Sequence, residues 1–251
     1  MSKNKIELSL IVPCYNEGEH LEKSFPKVIE VLRKLNQNFE IIIIDDFSKD
    51  NTVEIIKRLI KNNKEISISF VSHKHNVGRG GTVTEGIRLA KGDIVGFIDI
   101  DLEVSPKYIP DFVKIISTNK ADIVVGKRYD YFSITSIHRF ISTKLYISLV
   151  RLILRLPIHD TETGYKFFNR KKILPILTQI QDVYWFWDTE IIARGYMNGL
   201  RLEEIDVLFK KRRDKTSTVK LLRDSIRQIK SFIDFKNNLT KERSTVGTKR
   251  E

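Results

Sequence analysis

A rhythm of short apolar runs, each ending in polar or acidic residues and followed by a segment of helical spacing, limits this chain to few folds. "IELSLIVP" (Ile6–Pro13), "FEIIII" (Phe39–Ile44), "ISISFVS" (Ile66–Ser72) and "IVGFIDI" (Ile94–Ile100) are four such runs. They are rich in Ile, Leu and Val and too short for helices, so they read as buried strands. Leu21–Leu35 carries apolar residues at 21, 25, 28, 29, 32 and 35, a helical stripe. Thr52–Lys61, Thr82–Ala90 and Pro106–Thr118 also read as helices, and Ala121–Gly126 as a fifth strand. This alternation predicts an α/β fold with a doubly wound, mostly parallel sheet flanked by helices on both faces. Such sheets bind ligands at the carboxyl ends of their strands. Here those ends carry Asn16/Glu17, Asp45/Asp46, Asn76/Arg79 and Asp99/Asp101/Glu103.

The second half is less regular. Ile141–Leu156 is an apolar segment whose Lys144, Arg151 and Arg155 share one helical face. Asp188–Met197 reads as a helix and Glu203–Phe209 as a strand. Val219–Phe235 reads as an amphipathic basic helix, with Val219, Leu222, Ile226, Ile229 and Ile233 at helical spacing. The predicted organisation is one folded domain over 1–216, a C-terminal amphipathic basic helix over 217–237 and a basic disordered tail over 238–251.

Charge narrows the partners. The chain has a formal net charge of +12, and residues 209–251 hold fourteen Lys and Arg against five Asp and Glu. Such a tail suits anionic lipid or a phosphorylated substrate. It has no aromatic–basic interleaving and no nucleic-acid-binding motif, so no nucleic acid partner is expected. Cys14 is the only cysteine, which rules out an internal disulfide and a cysteine-rich metal site. No apolar run reaches transmembrane length, and the N-terminus enters a strand pattern without a signal-peptide core. A cytoplasmic location is therefore expected.

The stretch "GFIDIDLEVSP" places Asp99, Asp101 and Glu103 at alternate positions, which a continuing strand would put on one face. Carboxylates so close repel one another unless a cation or donor lies between them. Hard oxygen ligands suit Mg²⁺ or Mn²⁺, which keep open positions for the oxygens of a diphosphate. These three acids are the candidate metal ligands. The loop "HNVGRGGTVTEG" allows close backbone approach to a ligand. His73, His75 and His159 lack metal-ligand spacing and read as loop or packing residues.

In order and spacing, "IVPCYNE", "IIIIDDFSKDNT", "HNVGRGGTVTEGIRLAKGD", "GFIDIDLEVSP" and "ADIVVGKRY" resemble the inverting GT-A glycosyltransferases of family 2, which use nucleotide sugars. The later pieces "HDTETGYKFFNRK", "YWFWDTEIIARGYMNG" and "RLEEIDVLFKKR" resemble one subgroup, the polyprenyl-phosphate sugar synthases, which includes the dolichyl-phosphate mannose synthases and glucosyltransferases. The resemblance covers about residues 6–218.

The resemblance implies a set of roles. Pro13, Tyr15 and Glu17 line the nucleotide pocket, and Asp46, with Ile44 nearby, contacts the base. Arg79 touches the nucleotide. Asp99 and Asp101 face ribose, diphosphate and metal, while Glu103 stands where these synthases often have Gln. Arg128 faces phosphate. Arg139 matches an acceptor-phosphate arginine, with His138 as a rival and Ser142 or Thr143 assisting. Arg212 (or Arg213) clamps phosphate. Asp101, Arg128, Arg139 and Asp188 are the catalytic candidates.

The implied donor is a UDP- or GDP-linked hexose. "DTETGYKFF" and "WFWDTEII" are closer to the glucosyl branch, which points to a UDP-hexose over GDP-mannose. The implied acceptor is a polyprenyl phosphate, met on the cytoplasmic face of a membrane. Some relatives use a separate membrane-anchoring subunit. A lipid phosphate is anionic near neutral pH and attacks without a general base, whereas a glycan hydroxyl requires one. For that rival acceptor the base candidates are Asp188, Glu190 and Asp160.

Overall fold

The computed structural model describes residues 5–130, 148, 150–210 and 221–247. Seven strands form one sheet: β1 (Leu8–Cys14), β2 (Phe39–Asp45), β3 (Ser67–Ser72), β4 (Ile94–Ile98), β5 (Ile123–Asp130), β6 (Tyr165–Asn169) and β7 (Leu202–Phe209). Their order is β3-β2-β1-β4-β6-β5-β7. β1 pairs in parallel with β2 and β4, β2 with β3, and β5 with β7. Only β6 is reversed, antiparallel to both β4 and β5. The expected mostly parallel α/β sheet is present. The reversed strand has a consequence for the site, because the start of β6 meets the end of β4, with Tyr165 opposite Ile98.

Helices cover both faces. Leu8, Leu10 and Val12 of β1 and Ile41 and Ile43 of β2 face the layer of α1 (Gly18–Arg33), α2 (Thr52–Asn62) and α4 (Ile109–Ser117). The alternate residues Ile11, Ile42 and Ile44 face α3 (Arg79–Leu89) and α5 (Trp187–Met197). A strand buried on both sides needs no polar alternation, which is why these segments read as unbroken apolar runs.

Several boundaries differ from expectation. β4 stops at Ile98 rather than Ile100. Helix α3 begins at Arg79 rather than Thr82, because Gly78, at φ 91°, lets the chain turn sharply into the helix. The C-terminal helix α6 (Leu221–Gly247) continues through 238–247, where a disordered tail was expected.

The apolar pattern of α6 also divides. Phe232 and Phe235 are buried and lie 6.2 and 5.6 Å from the Phe186 ring. Ile226, Ile229 and Ile233, the stripe expected from spacing, remain 67%, 50% and 50% exposed. The helix has two apolar faces, and the larger aromatic residues take the one against the core. In the segment before β6, residues 150–154 are helical, with Val150 and Leu154 buried and Leu152 and Ile153 exposed. Among the described residues, no helix is long and apolar enough to cross a membrane.

Candidate active site

The ends of β1 and β2 are tied together. The Asn16 backbone N–H donates to Ser48 Oγ at 2.8 Å, and Asn16 Oδ1 accepts from the Lys49 N–H at 2.7 Å. Asn16 takes a left-handed φ of 55°, which asparagine tolerates. This lock presents an exposed Tyr15 between half-buried Pro13 and Glu17. Ile44 is a correction. It was expected beside the base, but its side chain has no exposed surface, since β2 alternation turns it into the core with Ile11 and Ile42. Asp45 accepts from Ser72 Oγ at 3.0 Å and from the Ser48 N–H, a structural cap.

Asp46 organises the glycine-rich loop. Its carboxylate accepts from the Val77 and Gly78 N–H groups at 2.8 and 3.0 Å, and its carbonyl from Asn76 Nδ2 at 3.1 Å. His73 is more than the loop or packing residue expected. Nδ1 lies 2.8 Å from Asp46 and Nε2 lies 2.8 Å from Glu85. Burial works against the charged ring, but the two carboxylates outweigh it and raise its pKa above the ordinary histidine value.

After Ile98 the chain leaves the sheet. The Asp99 N–H donates to the Gly164 carbonyl at 3.1 Å, Leu102 takes φ 53°, and the Glu103 N–H donates to Asp101 Oδ1 at 3.2 Å. Asp99, Asp101 and Glu103 therefore sit on a turn, and strand alternation no longer aligns them. Among the described residues, no three His, Cys, Asp or Glu side chains form a group able to hold a metal. The expected three-acid ligand set is not assembled. Asp99 and Asp101 still offer hard oxygens at the strand end, which fits a divalent cation that takes its remaining ligands from elsewhere.

Asp99 is instead held by Arg79. Arg79 Nε donates to Oδ1 at 3.1 Å, and Nη2 donates to Oδ1 and Oδ2 at 2.8 and 3.1 Å. The third nitrogen, Nη1, donates to Asp188 Oδ2 at 2.5 Å. Lys166 Nζ donates to Asp188 Oδ1 at 2.5 Å and to the Thr163 carbonyl. A chain of alternating charges thus runs Asp99–Arg79–Asp188–Lys166 from the carboxyl end of β4 into the core. Burial pulls the Lys166 pKa below the ordinary lysine value, with Asp188 opposing. Burial also works against charge on Arg79, but Asp188 and Asp99 reverse the shift and hold the guanidinium charged.

Sequence reasoning missed Lys166 and Gly164. The available signal was a lysine within "GYKFFN", a run whose neighbours are aromatic, where a lone ammonium is costly to bury. Gly164 lets β6 approach: a Cβ there would lie 1.7 Å from Asp99 Oδ2 and 2.7 Å from Arg79 Nη2.

On the other side of β6, Arg128 makes a fork to Asp160, with Nε to Oδ2 at 2.7 Å and Nη2 to Oδ1 at 3.0 Å. Burial raises the Asp160 pKa, and Arg128 more than reverses it to a net lowering. Glu162 lies 4.0 Å from Arg128 and accepts from Gln228 Nε2 of α6. Burial is the main cause of its raised pKa. Glu190 accepts from Arg194 Nε and the Asp182 N–H, both at 2.8 Å, and so anchors the loop before α5. Arg139 and Arg212, with the alternatives His138, Ser142, Thr143 and Arg213, lie outside the described residues.

The glycosyl transferase family 2 model matches residues 9–176. The chain belongs to glycosyl transferase family 2. Among its relatives, the glycosyltransferase AglD of Haloferax volcanii is 30% identical over 226 residues, 87% of this chain but 35% of that protein. The dolichyl-phosphate beta-glucosyltransferase of Dictyostelium discoideum is 30% identical over 222 residues, 82% of this chain and 68% of that one. The Saccharomyces cerevisiae enzyme of the same name is 27% identical over 251 residues, 91% and 74% of the two chains. The chain thus spans about a third of AglD and about two thirds to three quarters of these two glucosyltransferases.

Two of the solved structures that share the fold illustrate the likeness. One is glucosyl-3-phosphoglycerate synthase from Mycobacterium tuberculosis, in complex with Mn²⁺, UDP and glucosyl-3-phosphoglycerate, with TM-score 0.63, 17% identity, and coverage of 84% of this chain and 73% of that one. The other is the mannosyltransferase PcManGT from Pyrobaculum calidifontis with GDP-Man and Mn²⁺, with TM-score 0.60, 17% identity, and coverage of 84% and 59%. The likeness establishes the GT-A fold of this family 2 glycosyltransferase.

Proposed function

We propose that this glycosyltransferase moves a hexose, with inversion, from a nucleotide sugar to a polyprenyl phosphate. The donor C1–phosphate bond breaks, a C1–oxygen bond forms to the lipid phosphate, and the nucleoside diphosphate leaves. The observation that carries this reading is the state of the three base candidates. Asp188 has both oxygens engaged by cations, Asp160 is forked by Arg128, and Glu190 is tied to Arg194. Oxygens engaged in this way are turned to their ion-pair partners rather than to an acceptor hydroxyl, which disfavours a hydroxyl nucleophile. An acceptor phosphate brings its own negative charge. The two dolichyl-phosphate relatives favour the same acceptor and a glucosyl donor.

In this reading Tyr15, Glu17 and the loop organised by Asp46 receive the nucleotide. Asp99 and Asp101 are the residues that would hold a divalent metal, Mg²⁺ or Mn²⁺, which would supply positive charge to neutralise the departing diphosphate. The Mn²⁺ in the two structural neighbours supports that assignment. Asp160 orients Arg128 toward the phosphates, and Arg139 and Arg212 complete the acceptor clamp. The exposed Ile226, Ile229 and Ile233, with exposed Arg227, Lys230 and Lys236 on the same helix, suit an anionic membrane surface where the acceptor resides.

The test is transfer to a short-chain polyprenyl phosphate, with UDP-glucose and GDP-mannose as donors and Mn²⁺ or Mg²⁺ present. A glycosyl phospholipid product is expected. Transfer to a glycan hydroxyl but to no lipid phosphate, with either donor, would overturn the reading.

A further inference from the structure

Arg79 sits on the carboxylate that a metal would need. It covers both oxygens of Asp99 through Nε and Nη2, at 2.8 to 3.1 Å. Its remaining nitrogen is anchored separately, Nη1 to Asp188 at 2.5 Å, and Lys166 holds that aspartate from behind. The guanidinium carbon also lies 5.2 Å from the Phe97 ring centroid and 5.8 Å from that of Trp185, two faces that favour a cation. Arg79 therefore has a resting place that does not depend on Asp99.

The charges balance in this state: Asp99 and Asp188 against Arg79 and Lys166. A divalent ion on Asp99 would add two positive charges beside a guanidinium already in contact with the same oxygens. Ion and guanidinium then compete, because both need the same Asp99 oxygens and like charges at contact distance repel. The Asp188 anchor means that Arg79 need not leave; it can pivot about Nη1. Nε and Nη2 would then be released as two donors at the place where a diphosphate arrives, a pairing that the planar fork suits.

We infer that Arg79 is a stand-in cation on Asp99, which yields that carboxylate to the metal and transfers its Nε and Nη2 donors to the donor diphosphate while pivoting on Asp188. This rests on the reading of Asp99 as a metal-facing acid, and goes beyond it by giving Arg79 opposite effects on the metal alone and on the metal with nucleotide.

Mn²⁺ binding without nucleotide, followed by the electron paramagnetic resonance of free Mn²⁺, tests this directly. Arg79→Met should bind Mn²⁺ at least about fivefold more tightly than the parent chain, the low end of ordinary coupling between sites. The same variant should bind UDP at saturating Mn²⁺ at least about fivefold more weakly. The gain in Mn²⁺ affinity should vanish in Arg79→Met/Asp99→Asn. Arg79→Lys, which keeps the charge without the fork, should lie between parent and Arg79→Met, and it decides the matter if Arg79→Met does not fold. Unchanged or weaker Mn²⁺ binding in a folded Arg79 variant, or a gain that survives Asp99→Asn, overturns the proposal. No sugar or lipid enters these measurements, so absence of lipid-phosphate transfer would sink the proposed function and leave this result readable.

Discussion

Lys166 Nζ lies 2.5 Å from Asp188 Oδ1, and no more than 2% of either side chain reaches solvent. An ammonium and a carboxylate withdrawn from water this fully lose their hydration, and each is tolerated only because the other is present. The strand register creates the pair. β6 carries Lys166 opposite Phe97, one residue before the end of β4, while α5 supplies Asp188 from its first turn.

Replacing Lys166 with Met leaves Asp188 buried with one cation, Arg79, shared with Asp99. The expected cost is about 3–5 kcal/mol, that of breaking a buried ion pair from one side. Lys166→Met combined with Asp188→Leu removes one charge of each sign and leaves Arg79 matched to Asp99. The double variant should therefore be more stable than Lys166→Met alone. Urea denaturation of the three proteins checks the order, and a double variant less stable than the single one would contradict the charge argument.

Gly164→Ala tests the approach of β6 to the acid turn. A methyl group 1.7 Å from Asp99 Oδ2 cannot be accommodated without moving that carboxylate or the strand. Because Arg79 shares the same space, both Asp99 and Arg79 shift. A displacement of about 1 Å at a reacting centre costs on the order of a hundredfold in rate, and that loss is expected in transfer assays. Circular dichroism should show the fold retained. An active Gly164→Ala enzyme would show that the carboxylate has another productive position.

The parallel half of the sheet was legible in the sequence because its strands are buried on both faces and its helices on one. Ile11 and Ile42 need no context to be recognised as core. The site was legible only in part. Arg79 and Asp99 are 20 residues apart and Asp188 is 109 from Arg79, and the Lys166 that holds Asp188 comes from the reversed strand β6, which no local pattern announces. Alternation also misled at Glu103, since it presumed a strand where Leu102 turns the chain with φ 53°. On α6, helical spacing marked Ile226, Ile229 and Ile233 correctly as one face but could not say that Phe232 and Phe235 would take the core.

The His73 ring gives stability a pH dependence whose sign follows from its raised pKa. The folded protein binds the proton more tightly than the unfolded chain, so the stabilisation is fully present below the ordinary histidine value of about 6.5. It is lost as pH rises through the folded-state value. Urea midpoints measured from pH 6 to pH 9 should fall for the parent chain. His73→Gln should flatten that decline. An equal decline in the variant would assign the pH dependence to other groups.

The two apolar faces of α6 should separate stability from lipid binding. Phe232 is 7% exposed and packs edge-on against Phe186, so Phe232→Ala removes core contacts and should destabilise the fold by up to about 3–5 kcal/mol. Ile226, Ile229 and Ile233 are at least half exposed, and changing each to Ser should alter stability by no more than about 0.5 kcal/mol. The same triple change removes the side chains that would enter a lipid interface, where burial of one isoleucine contributes about 1.5–3 kcal/mol. Sedimentation with anionic liposomes should fall more than about tenfold for the triple variant, because even one lost isoleucine at the low end of that range is a factor of ten. Added salt should weaken the parent chain's binding, since the exposed Lys230 and Lys236 would meet the headgroups by charge. If the triple variant sediments like the parent, the exposed stripe is not the lipid-facing side of this helix.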